Sequence, residues 1–276
     1  MSKPEPYSLE DLVYLMQRLR DPEDGCPWDL KQTFASIVPY TLEECYEVVD
    51  CIERSDWEHL GEELGDLLFQ VVFYAQLGAE EQRFDLAAVI DTLVKKLVRR
   101  HPHVFPDEQL RKRHQSALSE RQINDTWAEI KAGERARKAE RQEKKASVLD
   151  DVPQALPSIQ RAQKLQARAA KVGFDWGDPL LVLDKIEEEI AELREAISLG
   201  QVDEIRDEMG DLLFAQVNLA RHLGVSADVA LRSTNQKFTR RFNHVEAQVE
   251  ASQKSWQSYE LKQLDLWWDE AKRKGL

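Results

Sequence analysis

Between residues 186 and 197 the apolar side chains of Ile186, Ile190, Leu193 and Ile197 recur at steps of three and four. At about 100° per residue they fall within one sector of roughly 60°, the signature of an amphipathic helix. Residues 204–224, "EIRDEMGDLLFAQVNLARHLG", carry a second stripe opened by Ile205 and Leu212. Helix starts are marked elsewhere. Ser8 can cap a first helix, and "TLEE" (41–44), "SDWE" (55–58) and "SERQ" (119–122) place Glu or Gln three residues after Ser or Thr, the spacing of a capping box. Gly78, Gly173, Gly200 and Gly224 stand where periodic segments end. Alternating strand patterns bounded by turn residues are nearly absent, so the predicted class is all-α.

The periodicity lapses at 131–145, "KAGERARKAERQEKK", a mixed-charge run followed by a stretch in which Pro153 and Pro157 oppose a continuing helix. This predicts a first helical domain over 1–132, a charged linker over 133–153 and a second helical domain over 154–276. Glutamates interrupt the basic residues of the linker and no aromatic residue is interleaved, so a solvated helix explains them better than a nucleic-acid contact.

The two domains are copies. A shift of 145 residues lays 42–77 over 187–222 without a gap, with 12 of 36 positions identical. Glu43, Glu44 and Glu47 fall on Glu188, Glu189 and Glu192, and Glu63 and Asp66 fall on Glu208 and Asp211. At an offset of 141, Lys96, Arg99, Arg100 and His103 meet Lys237, Arg240, Arg241 and His244, while Trp127 and Lys131 meet Trp268 and Lys272. The chain reads as a tandem repeat of one helical unit of about ninety residues.

Descent explains similarity; it does not explain why all five acids stayed. With Glu189 at 0°, Glu192 lies near −60° and the apolar stripe at roughly 40–100°. With Glu208 at 0°, Asp211 lies near −60° and Ile205 and Leu212 at roughly 40–60°. Antiparallel packing of the two stripes therefore brings four carboxylates together. Two carboxylates about 5 Å apart repel by roughly 3 kcal/mol at an effective dielectric near 20, and a divalent cation reverses the sign. Oxygen ligands without His or Cys select Mg²⁺, with Mn²⁺ as a substitute, over zinc. A di-iron site wants Glu-x-x-His, which the chain lacks. Glu189, Glu192, Glu208 and Asp211 are the predicted metal ligands, with Glu44, Glu47, Glu63 and Asp66 as a second possible site. The plain alternative is a solvated acidic face on a duplicated, non-catalytic scaffold that binds partner proteins.

Charge and cysteines narrow the setting. A net charge of −13 disfavours nucleic acid as a partner. Cys26, Cys45 and Cys51 form neither a disulfide framework nor a zinc knuckle. The longest apolar stretch, at 67–77, is too short to span a bilayer, and "MSKPEPYSLEDL" has no signal-peptide core. The expectation is a cytoplasmic protein with no membrane partner.

With "EExxE" followed by "ExxD" in both copies, and with the stretches at 15–48, "RRHPHVF" (99–105) and "RAQKLQARAAKVGFDW" (161–176), the chain resembles the MazG family of nucleoside triphosphate pyrophosphohydrolases. The resemblance implies helical bundles completed by dimerisation, hence a homodimer. It also implies cleavage of nucleoside triphosphates between the α and β phosphates, giving monophosphate and pyrophosphate. Glu188 or Glu189 would accept the proton of the attacking water. Lys237 and Arg241, four apart on one helix, would clamp phosphates. Trp268 would stack on the base and Lys272 would meet phosphate. Stacking on an indole tolerates any base, so the expected specificity is broad, suited to cleansing a nucleotide pool or controlling signalling nucleotides.

The copies differ at one telling place. Lys185, one turn before Glu188 and Glu189, corresponds to Tyr40. A cation there suits phosphate, which marks the second copy as the catalytic one and the first as serving assembly. Where family members can carry a lysine four residues before the Glu of "ExxD", this chain has Glu204.

Overall fold

The computed structural model describes residues 6–112, 119–141 and 147–276, and no strand occurs among them. Two compact units, 1–133 and 134–276, divide the chain. The first holds α1 (Leu9–Leu19), α2 (Phe34–Arg54), α3 (Trp57–Glu80) and α4 (Leu86–Arg100). The division falls within α5 (Glu120–Arg141). The second unit holds α6 (Ser158–Ala170), α7 (Pro179–Leu199), α8 (Val202–His222), α9 (Ala227–Ala251) and α10 (Leu261–Arg273). Part of the mixed-charge run, 142–146, lies outside the described residues.

The duplication is built into the helix boundaries. Phe34 and Pro179 open α2 and α7, and Trp57 and Val202 open α3 and α8, each pair 145 residues apart. Leu86 and Ala227 open α4 and α9, and Glu120 and Leu261 open α5 and α10, each pair 141 apart. The caps follow the same register: Thr33 accepts from the Ser36 amide, and Asp178 accepts from the Leu180 amide. Only two residues connect α2 to α3, and two connect α7 to α8, so each pair is an antiparallel hairpin.

Three local expectations are corrected. Thr41 does not cap a helix, because Thr33 and Ser36 form the capping box and α2 is already running at Phe34. Thr41 Oγ1 instead lies 3.2 Å from the Ile37 carbonyl and 3.0 Å from Tyr74 Oη. Ser55 ends α2 in a left-handed conformation, and Asp56 caps α3. Gly78 lies inside α3, where a Cβ would meet the Phe84 ring at 2.6 Å; it is a close-packing residue. Ser119 and Gln122 do exchange capping bonds at the start of α5, and Gly200 is the left-handed cap of α7.

In the first unit Met16, Ile37, Val72, Phe73 and Leu77 form an apolar core, each fully buried side chain contributing about 1.5–3 kcal/mol. In the second unit the buried residues of α7 are Val182, Glu189, Leu193 and Ala196. Glu189 therefore stands inside the buried line and not at its wet edge, while Ile197, assigned to the apolar stripe, is 57% exposed. Among the described residues no helix is long and apolar enough to cross a membrane.

Candidate active site

Packing of α7 against α8 brings carboxylate oxygens of Glu189, Glu208 and Asp211 within 4.8 Å of one another. Glu192, the fourth predicted ligand, does not join that set. Its charge still reaches Glu208, whose carboxyl is pushed up by burial first and then by Glu192, Glu189 and Asp211. Glu189 is 5% exposed, and its Oε2 is buried with no hydrogen-bond partner. An orphaned, buried carboxylate oxygen facing two further acids is costly by itself. The donor set, all oxygen and all anionic, suits a hard divalent cation.

Lys185 partly meets that need. Its Nζ lies 2.7 Å from Glu188 Oε1 and 2.8 Å from Glu189 Oε1. These two bonds push the lysine pKa far up, so it stays an ammonium. Glu188 is exposed and shares this lysine with Glu189. A cavity of about 300 Å³ opens beside them, lined by Trp176, Val182, Lys185, Glu189, Asp211, Phe214, Ala215 and Asn218.

The first unit repeats the acids but not their surroundings. Oxygens of Glu44, Glu63 and Asp66 again lie within 4.8 Å of one another, and Glu47 again stands outside the set. Burial, then Asp66 and Glu47, push the Glu44 carboxyl up; burial, then Glu47 and Asp66, do the same for Glu63. Here Gln70, at the place of Ala215, donates to Glu44 Oε1 at 3.4 Å. Tyr40, at the place of Lys185, packs edge-on against Trp28 with ring centroids 5.7 Å apart. An aromatic pair thus stands where the second unit has an ammonium and an open cavity.

The residues expected to hold nucleotide form a separate group on α9 and α10. Arg241 donates through Nε to the Leu276 carbonyl at 2.8 Å and lies 5.8 Å from the Trp268 ring centre. Trp268 also packs on Phe238 at 5.1 Å and borders a cavity of about 260 Å³. Lys272 pairs with Asp269 at 3.0 Å, and Lys237 is exposed. None of these four lines the cavity at Glu189.

Sequence reasoning passed over Trp176, Phe214 and Asn218, which do line it. Their signal lay within quoted stretches, "GFDW" and "GDLLF", where the acids drew attention away from them.

Comparison with known proteins adds to this geometry. The family model described as MazG nucleotide pyrophosphohydrolase domain matches residues 32–105 and again 178–246. An Escherichia coli protein named nucleoside triphosphate pyrophosphohydrolase is 50% identical over 270 residues, covering 97% of this chain and 98% of its own. A Thermotoga maritima protein named nucleoside triphosphate pyrophosphohydrolase/pyrophosphatase MazG is 42% identical over 264 residues, covering 96% and 95%. An uncharacterised Bacillus subtilis protein, YabN, is 40% identical over 276 residues, covering 97% of this chain and 54% of its own.

Proposed function

We propose, from the premise that the chain belongs to the MazG nucleotide pyrophosphohydrolase family, that its second unit cleaves nucleoside triphosphates with the help of a divalent cation. Hydrolysis of nucleoside triphosphates is the activity of this enzyme. The observation that carries the site assignment is the orphaned Glu189 Oε2 beside Glu208 and Asp211, next to the ammonium of Lys185.

Glu189, Glu208 and Asp211 would hold Mg²⁺, with Glu192 as a further ligand from the same helix. When bound, the ion supplies charge neutralisation and Lewis acidity toward phosphate oxygens. Lys185, on the same cavity wall, turns its ammonium from the carboxylates to the triphosphate. Glu188, partly relieved of that lysine, takes a proton from the attacking water. The water oxygen bonds to the α-phosphorus, the bond to the bridging oxygen breaks, and pyrophosphate leaves with the bond's electron pair. Most of the acceleration then comes from positioning and electrostatics.

Lys237, Arg241, Trp268 and Lys272 enter this scheme through a second copy of the chain. Exposed apolar side chains on α7, α8 and α9, among them Leu180, Leu213 and Phe238, support a homodimer whose interface they bury. Broad base specificity, and a role in clearing or controlling nucleotides, follow if stacking alone holds the base. Pyrophosphate release from a panel of triphosphates, with and without Mg²⁺, tests the reading. Release that ignores chelation counts against the cation, and release from a single base counts against broad specificity.

A further inference from the structure

Two cavities of the second unit meet at one wall. Trp176, Phe214 and Asn218 line the cavity at Glu189 and also a neighbouring one of about 270 Å³. The neighbour is bordered mainly by apolar side chains, Leu149, Leu165, Ala169 and Phe174, with Gln166 and Arg221 as polar exceptions. Gln166 is 7% exposed, and its Oε1 is buried without a partner.

The loop that carries Trp176 is pinned from α8. Asp175 Oδ1 accepts from Arg221 Nη2, and it lies 2.9 Å from His222 Nε2. The same oxygen accepts the Trp176 amide at 3.0 Å. Arg221 is anchored in turn by the buried Asn218, which accepts from Nε at 3.1 Å and from Nη2 at 2.8 Å. One carboxylate therefore sets the backbone from which the indole projects.

This bracket belongs to the second unit alone. The residues 145 positions earlier than Asn218, Arg221 and His222 are Phe73, Gln76 and Leu77, and Phe73 and Leu77 help build the first unit's apolar core. Where one copy fills the space with hydrocarbon, the other keeps a polar brace and open volume. Polar groups in a buried position at a cost in core packing point to a ligand.

Resting on the proposed hydrolysis at Glu189, we propose that Trp176 is the wall of the site that meets the substrate's nucleoside, and that Asp175, Arg221 and His222 are positioning residues that hold it there. An α-phosphorus at the carboxylates is one ester bond from the ribose. The nucleoside must therefore lie in a space adjoining the acid cavity, and the apolar cavity across Trp176 adjoins it.

The test uses the full chain with Trp176→Ala, Trp176→Phe, Asp175→Asn and Trp268→Ala, and compares nucleoside triphosphate turnover with inhibition by inorganic triphosphate, which has no nucleoside. Trp176→Ala should raise KM about tenfold, leave kcat within about twofold and leave inhibition by inorganic triphosphate unchanged. Trp176→Phe should keep most of the affinity. Asp175→Asn should raise KM in the same direction and shift the tryptophan emission, a shift absent in Trp176→Phe/Asp175→Asn. An unchanged KM in Trp176→Ala, or an equal loss of inorganic triphosphate inhibition, overturns the assignment; so does a nucleoside-specific loss in Trp268→Ala alone. If Trp176→Ala does not fold, the fluorescence change on adding a non-hydrolysable α,β-methylene nucleotide decides, since it should shrink in Trp176→Phe and an undiminished change refutes the contact. A wild-type protein that releases no pyrophosphate from any nucleoside triphosphate would defeat the hydrolase reading itself, a different result from any of these.

Discussion

Lys185 Nζ bonds Glu188 at 2.7 Å and Glu189 at 2.8 Å, so the cation read as a phosphate contact is also the counter-charge of two catalytic-site acids. A cation on Glu189 competes with this ammonium, and substrate phosphate then competes for the ammonium in turn. The lysine links the two binding events.

Lys185→Ala separates them. With the competing ammonium gone, the free protein should bind Mg²⁺ more tightly, by roughly fivefold if the partly exposed pair is worth about 1 kcal/mol. The KM for nucleoside triphosphate should rise in the same variant. Titration calorimetry alongside steady-state kinetics measures both, and weaker Mg²⁺ binding in Lys185→Ala would contradict the competition.

Mg²⁺ should raise the melting temperature of the wild-type chain, because a ligand bound only by the folded state adds about 2.7 kcal/mol at a hundred times its Kd. Glu189→Gln should lose most of that rise while keeping its helical circular dichroism. A rise of equal size in Glu189→Gln would move the cation elsewhere, with the first unit's Glu44, Glu63 and Asp66 as the next place to look.

The Arg20–Glu80 pair predicts a pH dependence in the first unit. Arg20 donates to both Glu80 oxygens, at 2.9 and 2.7 Å, and this holds the Glu80 carboxyl below its ordinary value of 4.5. A depressed carboxylate contributes stability that is fully present above the unfolded value and lost as pH falls through the folded one. Glu80→Gln should therefore cost about 1–3 kcal/mol at pH 7, discounted because Glu80 is one-third exposed. The gap between variant and wild type should close below about pH 4. Urea unfolding at several pH values measures it, and a gap independent of pH would contradict the pairing.

The helices and the duplication were legible because both are written in local spacing: two offsets read from identities also relate the helix starts Phe34 to Pro179 and Leu86 to Ala227. The meeting of Glu189, Glu208 and Asp211 followed from helical geometry as well. What escaped was tertiary. Thr41 fits a capping box, yet Thr33 starts the helix a full two turns earlier, and local pattern offers both. Gly78 looks like a stop until Phe84 packs on it. The bracket from Asp175 to Arg221 and His222 joins residues 46 and 47 apart, which no periodicity reports.

The central claim is that the second unit's acids perform the hydrolysis while the first unit's matching acids do not, and paired double substitutions test it most directly. Pyrophosphate release is measured from full-length protein carrying Glu44→Gln with Glu47→Gln, or Glu189→Gln with Glu192→Gln, each confirmed as folded and of wild-type oligomeric state. The first pair should keep most of the wild-type rate, and the second should lose roughly a hundredfold or more. Equal losses from the two pairs, or a loss confined to the Glu44 and Glu47 pair, would contradict the account.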